Sequence, residues 1–345
     1  MIRFNCDYLE GAHPKILKRL METNMEQTVG YGEDEYSIKA KEKIKDICGD
    51  KNLDVHFLVG GTQTNTTVIS HALRPHQGVF AVETGHINCH ETGAIEATGH
   101  KVIVLPGEDG KMQACEIKKY MDSYLIDPSF EHVVQPKMVY ISQTTEVGSL
   151  YSKAEIESIR RVCDEFNLYL FLDGARLGYA LETSANDMDI PFIAKNTDVF
   201  YIGGTKVGAL FGEAVVISND DLKKDFRYAI KQHGGMLAKG RLLGIQFLEL
   251  FTDDLYFKIS KNAIDMARLL KEGFENLGIT FAETPASNQI FIILNNSFIE
   301  KLHTKFDFEY QYQVNDFETC VRFCTSWATT KENVETLLKF MKENI

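Results

Sequence analysis

The chain has 345 residues, enough for one large domain and a smaller satellite. Its formal net charge of −12 gives a field that repels nucleic acid and anionic membrane surfaces, and no apolar run approaches the roughly 20 residues of a membrane span. Seven cysteines in irregular spacing fit reduced thiols in a cytoplasmic protein, and the opening Met1–Asp7 stretch meets an acidic residue at once with no apolar signal region.

Apolar runs of strand character alternate with amphipathic segments of helix length. In chain order they predict a strand over 55–59 entering a Gly60-Gly61-Thr62 turn, a helix over 65–73, a strand over 78–82, a helix over 91–97 closing at Gly99, and strands over 101–105 and 138–141. Lys153 to Phe166 sets Ile156, Ile159, Val162 and Cys163 at helical spacing, and strands over 168–172, 199–202 and 213–217 follow. Such alternation needs crossover connections, so this part reads as α/β, a mostly parallel sheet covered by helices on both faces. From about Gly240 the texture changes. Helices are predicted over 242–251 and 256–277, the second ending at Gly278, then strands over 289–294 and 321–324 and a last helix over 331–341. The expected organisation is a large domain over 1–237 and a smaller C-terminal α+β domain over 238–345.

Two strand ends carry the chemistry. Leu170-Phe171-Leu172-Asp173-Gly174-Ala175-Arg176 delivers an Asp and then an Arg, and Gly203-Gly204-Thr205-Lys206 offers a Lys among small residues. An Asp and a Lys on neighbouring strand ends suit pyridoxal 5′-phosphate. The Lys amine condenses with the aldehyde, and the carboxylate keeps the pyridine nitrogen protonated so that the ring draws in electrons. Gly61 and Thr62, where a strand passes into a helix, are placed for the phosphate, since glycine allows close backbone approach and the helix N-terminus is electropositive. His86 follows another strand end and is placed to stack on the ring. His86 and His90 are also spaced as a metal pair beside Glu91, but the order is not His-Glu-x-x-His and no third ligand is marked, so no metal is expected. Arg176 can reach the cofactor's rim or a substrate carboxylate, and Arg322, a charge inside an apolar strand, suits an amino-acid carboxylate.

Together these residues resemble the low-specificity threonine aldolase and aromatic amino acid β-eliminating lyase family of fold-type I pyridoxal-phosphate enzymes. Gly30-Tyr31-Gly32-Glu33-Asp34, Gly61-Thr62, Thr84-Gly85-His86-Ile87, Leu172-Asp173-Gly174-Ala175-Arg176-Leu177, Thr205-Lys206 and Arg322 each resemble an element of that family. The resemblance implies a homodimer or homotetramer with shared sites, in which Tyr31 serves a neighbouring chain. It makes Lys206, His86 and Asp173 catalytic, puts Thr205 against the cofactor, and gives Arg176, Arg322, Tyr31 and Cys6 to the substrate. The chain departs from the family at Gln143-Thr144-Thr145-Glu146, where many threonine aldolases carry a His near the substrate hydroxyl, and at Met236-Leu237-Ala238-Lys239, where the family has an Arg for a neighbour's phosphate. Cys6 stands where a Ser often contacts the substrate carboxylate. Glu146 is therefore added to the catalytic residues, the base at the β-hydroxyl being either His86 or a group around Glu146. The expected activity is retro-aldol cleavage of a β-hydroxy-α-amino acid such as threonine to glycine and an aldehyde. The alternatives are a β-eliminating amino acid lyase and, behind it, a non-catalytic dimeric scaffold.

Overall fold

A computed structural model describes Met1–Ile345. Its main sheet has seven strands: β1 (Asp54–Leu58), β2 (Gln77–Val82), β3 (Lys101–Leu105), β4 (Gln135–Ser142), β5 (Tyr169–Asp173), β6 (Val199–Gly203) and β7 (Glu213–Ile217), in the spatial order β1-β7-β6-β5-β4-β2-β3. The pairs β3–β2, β2–β4, β4–β5 and β5–β6 are parallel, and β7 runs antiparallel to both β6 and β1. The sheet is therefore parallel except for β7. Its central strands are near-continuous apolar runs because both faces are covered. Leu170 and Leu172 of β5 point into one core with Phe200 and Ile202 of β6, while Phe171, Val199 and Tyr201 point into the other.

The helices that matter for the site are α1 (Pro14–Glu22), α2 (Glu35–Cys48), α3 (Gly61–Ala72), α4 (Lys153–Phe166), α5 (Arg241–Leu250), α6 (Leu255–Asn276) and α7 (Lys331–Asn344). Helix α4 is bounded by local chemistry. A Ser152–Glu155 capping box starts it, and Asn167 in the left-handed conformation ends it. Helix α3 begins at Gly61, earlier than expected, straight from the end of β1. Of the helix expected over 91–97 only the turn Ala94–Ala97 forms, entered through Gly93 at φ +70°, and a separate turn, His86–Cys89, precedes it. Helices α1, α2 and Ala114–Ile126 were not anticipated.

Beyond the main sheet, an antiparallel sheet runs β8 (Thr280–Phe281), β9 (Gln289–Asn295), β11 (Glu318–Cys324) and β10 (Glu309–Asn315) in the spatial order β8-β9-β11-β10. Packing divides within α6. The largest core continues to Ala263, whereas Ala267, Leu270 and Phe274 join a separate core with β9, β11 and α7. Phe4 belongs to that last core too, and its backbone is tied to Asp307 and Cys324 by hydrogen bonds of 2.7 Å each.

Candidate active site

In a sheet of this kind the ligand cleft lies outside the carboxyl ends of the parallel strands. Asp173 closes β5, Lys206 follows β6, His86 follows β2, Glu146 follows β4 and Gly61 follows β1. The fold thus brings five of the anticipated residues to one edge.

Asp173 is buried, and four donors surround its carboxylate. The hydroxyls of Tyr140 on β4 and Tyr201 on β6 donate to its two oxygens. Asn65 Nδ2 of α3 donates at 3.3 Å and the Ala175 N–H at 3.0 Å. Such an array fixes the direction of the carboxylate.

His86 sets Nδ1 2.8 Å from Glu91 Oε1, and Asn65 Nδ2 donates to that same oxygen at 2.7 Å. A carboxylate on Nδ1 selects the tautomer with the proton there and leaves Nε2 free. Burial lowers the imidazole's basicity, but the Glu91 hydrogen bond and the charges of Asp173 and Glu91 outweigh it, so the pKa rises. Glu91 Oε2 and Asn65 Oδ1 are buried without partners. Glu146 accepts from Ser142 Oγ at 2.7 Å and from the His86 N–H at 3.1 Å, and burial raises its pKa despite the Ser142 bond. Among the described residues no group of three or more His, Cys, Asp or Glu side chains is arranged to hold a metal ion.

Lys206 is half-buried. Burial and the Arg176 charge lower its pKa, while Asp7, Asp173 and Glu213 pull the other way. Its neighbour Thr205 donates from Oγ1 to Glu213 at 2.8 Å. At the start of α3 the first intrahelical bond is Thr64 N–H to Gly60, so the N–H groups of Gly61, Thr62 and Gln63 have no helical acceptor. No acidic residue occupies that first turn.

Arg176 makes a fork with Asp7, Nε to Oδ2 at 2.7 Å and Nη2 to Oδ1 at 3.0 Å, and Asn288 Nδ2 also donates to Asp7 at 2.9 Å. Burial alone would raise the Asp7 pKa, but the Arg176 and Lys206 charges bring it down to about 2. Two Arg176 donors are thus committed inside the chain. Arg322 donates to Gln289 Oε1 and to the Asn5 carbonyl, both at 3.2 Å, and keeps Nε buried without a partner. Cys6, beside Asp7, is buried and its thiol pKa is raised by that burial. Tyr31 stands apart from this cluster. It is 48% exposed, with Lys231 Nζ 5.1 Å from its ring centroid and its carbonyl accepting from Arg227 at 3.3 Å.

Sequence reasoning passed over Asp7, Asn65, Tyr140, Tyr201 and Glu213, and weighed Glu91 only as the neighbour of a possible metal pair. A signal existed for Glu213, which is the one charge in the otherwise apolar Glu213–Ile217 strand.

Residues 4–297 match the beta-eliminating lyase family. The low specificity L-threonine aldolase of Pseudomonas aeruginosa is 28% identical over 341 residues, covering 98% of this chain and 96% of that protein. A solved threonine aldolase of Leishmania major superposes with a TM-score of 0.97 at 47% identity, covering 99% of each chain. A Thermus thermophilus aspartate aminotransferase mutant superposes at 0.72 with 13% identity, covering 100% of this chain and 92% of that one, a likeness of fold alone. The architecture is the α/β fold-type I arrangement expected from the sequence, and the chain belongs to the beta-eliminating lyase family.

Proposed function

We propose that the chain is a pyridoxal 5′-phosphate-dependent aldehyde-lyase that cleaves threonine or allo-threonine to glycine and acetaldehyde, with relaxed selectivity for the β-substituent. The meeting of Lys206, Asp173 and the His86–Glu91 pair at one sheet edge carries this reading. The residues present fit the cofactor: Lys206 for its aldehyde, Asp173 for its pyridine nitrogen, Thr205 beside them, and the acceptor-free N–H groups of Gly61 and Thr62 for its phosphate. When bound, the cofactor supplies an electron-poor ring that takes up the electron pair of the cleaved Cα–Cβ bond.

The chain's own groups do the rest. Arg322 and the Nη1 group of Arg176 hold the substrate carboxylate, with Cys6 alongside, and fix which Cα bond is aligned for cleavage. Asp173 keeps its negative charge directed by Tyr140 and Tyr201. His86, its imidazole held by Glu91, would lie against the ring of the bound cofactor. Glu146, with its raised pKa and a place beside the His86 N–H, takes the β-hydroxyl proton. The lowered pKa of Lys206 keeps more of its amine in the nucleophilic, neutral form.

The relatives named as threonine aldolases support aldol cleavage over elimination. The deciding experiment scores a panel of amino acids for released aldehyde, ammonia and pyruvate. Acetaldehyde from threonine or allo-threonine is the expected result. Ammonia and pyruvate from serine or cysteine, with no aldehyde from any β-hydroxy amino acid, would overturn it in favour of elimination.

For the organisation of the chain, the break in packing within α6 supports a large cofactor-binding unit and a smaller C-terminal unit, the latter taking in Phe4. Assembly is at least a homodimer with shared sites, supported by exposed apolar side chains at Leu17, Met21, Met25, Val29, Tyr31 and Ile38. All seven cysteines are unpaired, which supports a reducing, cytoplasmic setting. No helix is long and apolar enough to cross a membrane.

A further inference from the structure

Because β7 runs against its neighbours, its first residue, Glu213, arrives at the same sheet edge as the last residues of β5 and β6. It pairs in register with Gly203 and is 3% exposed. Oε2 accepts the Gly204 N–H at 3.2 Å, and Oε1 accepts the Thr205 hydroxyl at 2.8 Å. The same hydroxyl accepts the Gly212 N–H at 2.9 Å. One carboxylate therefore ties down both residues that precede Lys206. The turn is tight as well, since a Cβ on Gly203 would lie 2.3 Å from the Ala175 carbonyl oxygen and one on Gly204 2.8 Å from that of Gly212.

We propose that Glu213 is a positioning residue for Lys206: it locks the Gly204–Thr205 turn that aims the amine, and its charge behind that turn sets the amine's protonation. The proposal rests on the reading of Lys206 as the reactive amine. The charged and titratable groups facing Glu213 are Lys206 after β6, Asp173 on β5, Tyr201 on β6 and Tyr256 on α6. Burial pushes the Glu213 pKa up to about 8, against the opposing pull of Thr205 and Lys206. The carboxyl thus exchanges its proton far above the ordinary carboxylate range. Ionised, it holds the proton on Lys206. Protonated, it releases that hold, and the amine becomes a better nucleophile.

The test uses cofactor-free protein, so it does not depend on turnover. Trace acetylation by acetic anhydride, read by mass spectrometry on the Lys206 peptide as a function of pH, reports the midpoint at which the amine loses its proton. Glu213→Gln should lower that midpoint by about one unit, and Glu213→Asp, which keeps the charge, should bring it back toward the wild-type value. An unmoved midpoint in a folded Glu213→Gln protein would overturn the proposal. Should that variant not fold, the wild-type curve still decides. Two interacting groups give a labelling curve broader than a single-proton titration, and a clean single-proton curve sinks the idea. Failure of the underlying reading shows differently: borohydride reduction of the cofactor-loaded wild type would then leave no cofactor fixed to Lys206.

Discussion

Asp7 and Arg176, 169 positions apart in the chain, meet in a two-bond fork whose carboxylate side chain is fully screened from solvent. Replacing the acid strands a buried guanidinium. Asp7→Asn should cost about 3–5 kcal/mol of stability, read by chemical denaturation. The folded-state pKa of about 2 lies below the ordinary 3.8, so this contribution is fully present above about pH 4 and fades as the pH falls toward 2. A wild-type stability advantage over Asp7→Asn that does not shrink across that window would contradict the assignment.

Lys206→Ala should leave the fold intact and replace the internal-aldimine band of the cofactor-loaded wild type with the absorbance of unattached cofactor. The same substitution separates binding from attachment, because the α3 N–H groups and Asp173 remain to hold the cofactor without a covalent link. An unchanged visible spectrum would show that another amine carries it.

At Asp173 the change to Asn keeps the shape and removes the charge. Cofactor uptake should persist, while turnover falls by roughly a hundredfold or more as the pyridine nitrogen loses its counter-charge. Only one of Tyr140 and Tyr201, which now donate to different oxygens, would then keep an acceptor, and the other would face the amide NH2. Near-normal kcat in this variant would refute the electronic role.

Glu91 holds the His86 imidazole in its raised-pKa state. Glu91→Gln removes the charge but not the burial, so the His86 pKa should drop below its wild-type value. Titrating the ring proton signal of His86 by NMR measures this directly. A pKa that stays where it was would place the cause in Asp173 instead.

Subunits carrying Lys206→Ala, mixed with subunits carrying Tyr31→Phe, should regain part of the activity each lacks alone. Tyr31 is exposed and packs against Lys231, so trans-complementation is the expected outcome of a shared site. A particle that stays monomeric at micromolar concentration in sizing experiments would remove the basis for it.

The central strands and the chemistry at their ends were legible because burial on both faces writes a continuous apolar run, and the polar residue that breaks it marks the cleft. Helix α2 was hidden for the opposite reason. Its inner face is Ser37, Ala40, Ile44 and Cys48, small or weakly apolar residues among lysines, and it gives little hydrophobic contrast. Strand β10 lies at a sheet edge with most side chains exposed, so its alternation carries no core signal. Tyr140 and Tyr201 read as ordinary strand aromatics, and only the register shows their hydroxyls converging on Asp173. Asp7 had no local signal at all, because its partner is distant in the chain.

The hydrogen bonds that join Phe4 to Cys324 and Asn5 to Arg322, the latter 317 positions apart, put residues in the keeping of others made much later. Between them, Asp7 must reach Arg176. On the ribosome, the carboxylate that neutralises this buried arginine waits without its flanking strand until β11 has emerged. The central sheet can form earlier, but the cleft reaches its final shape only once β11 has been made, and closing so long a loop is an entropically expensive, late event in folding.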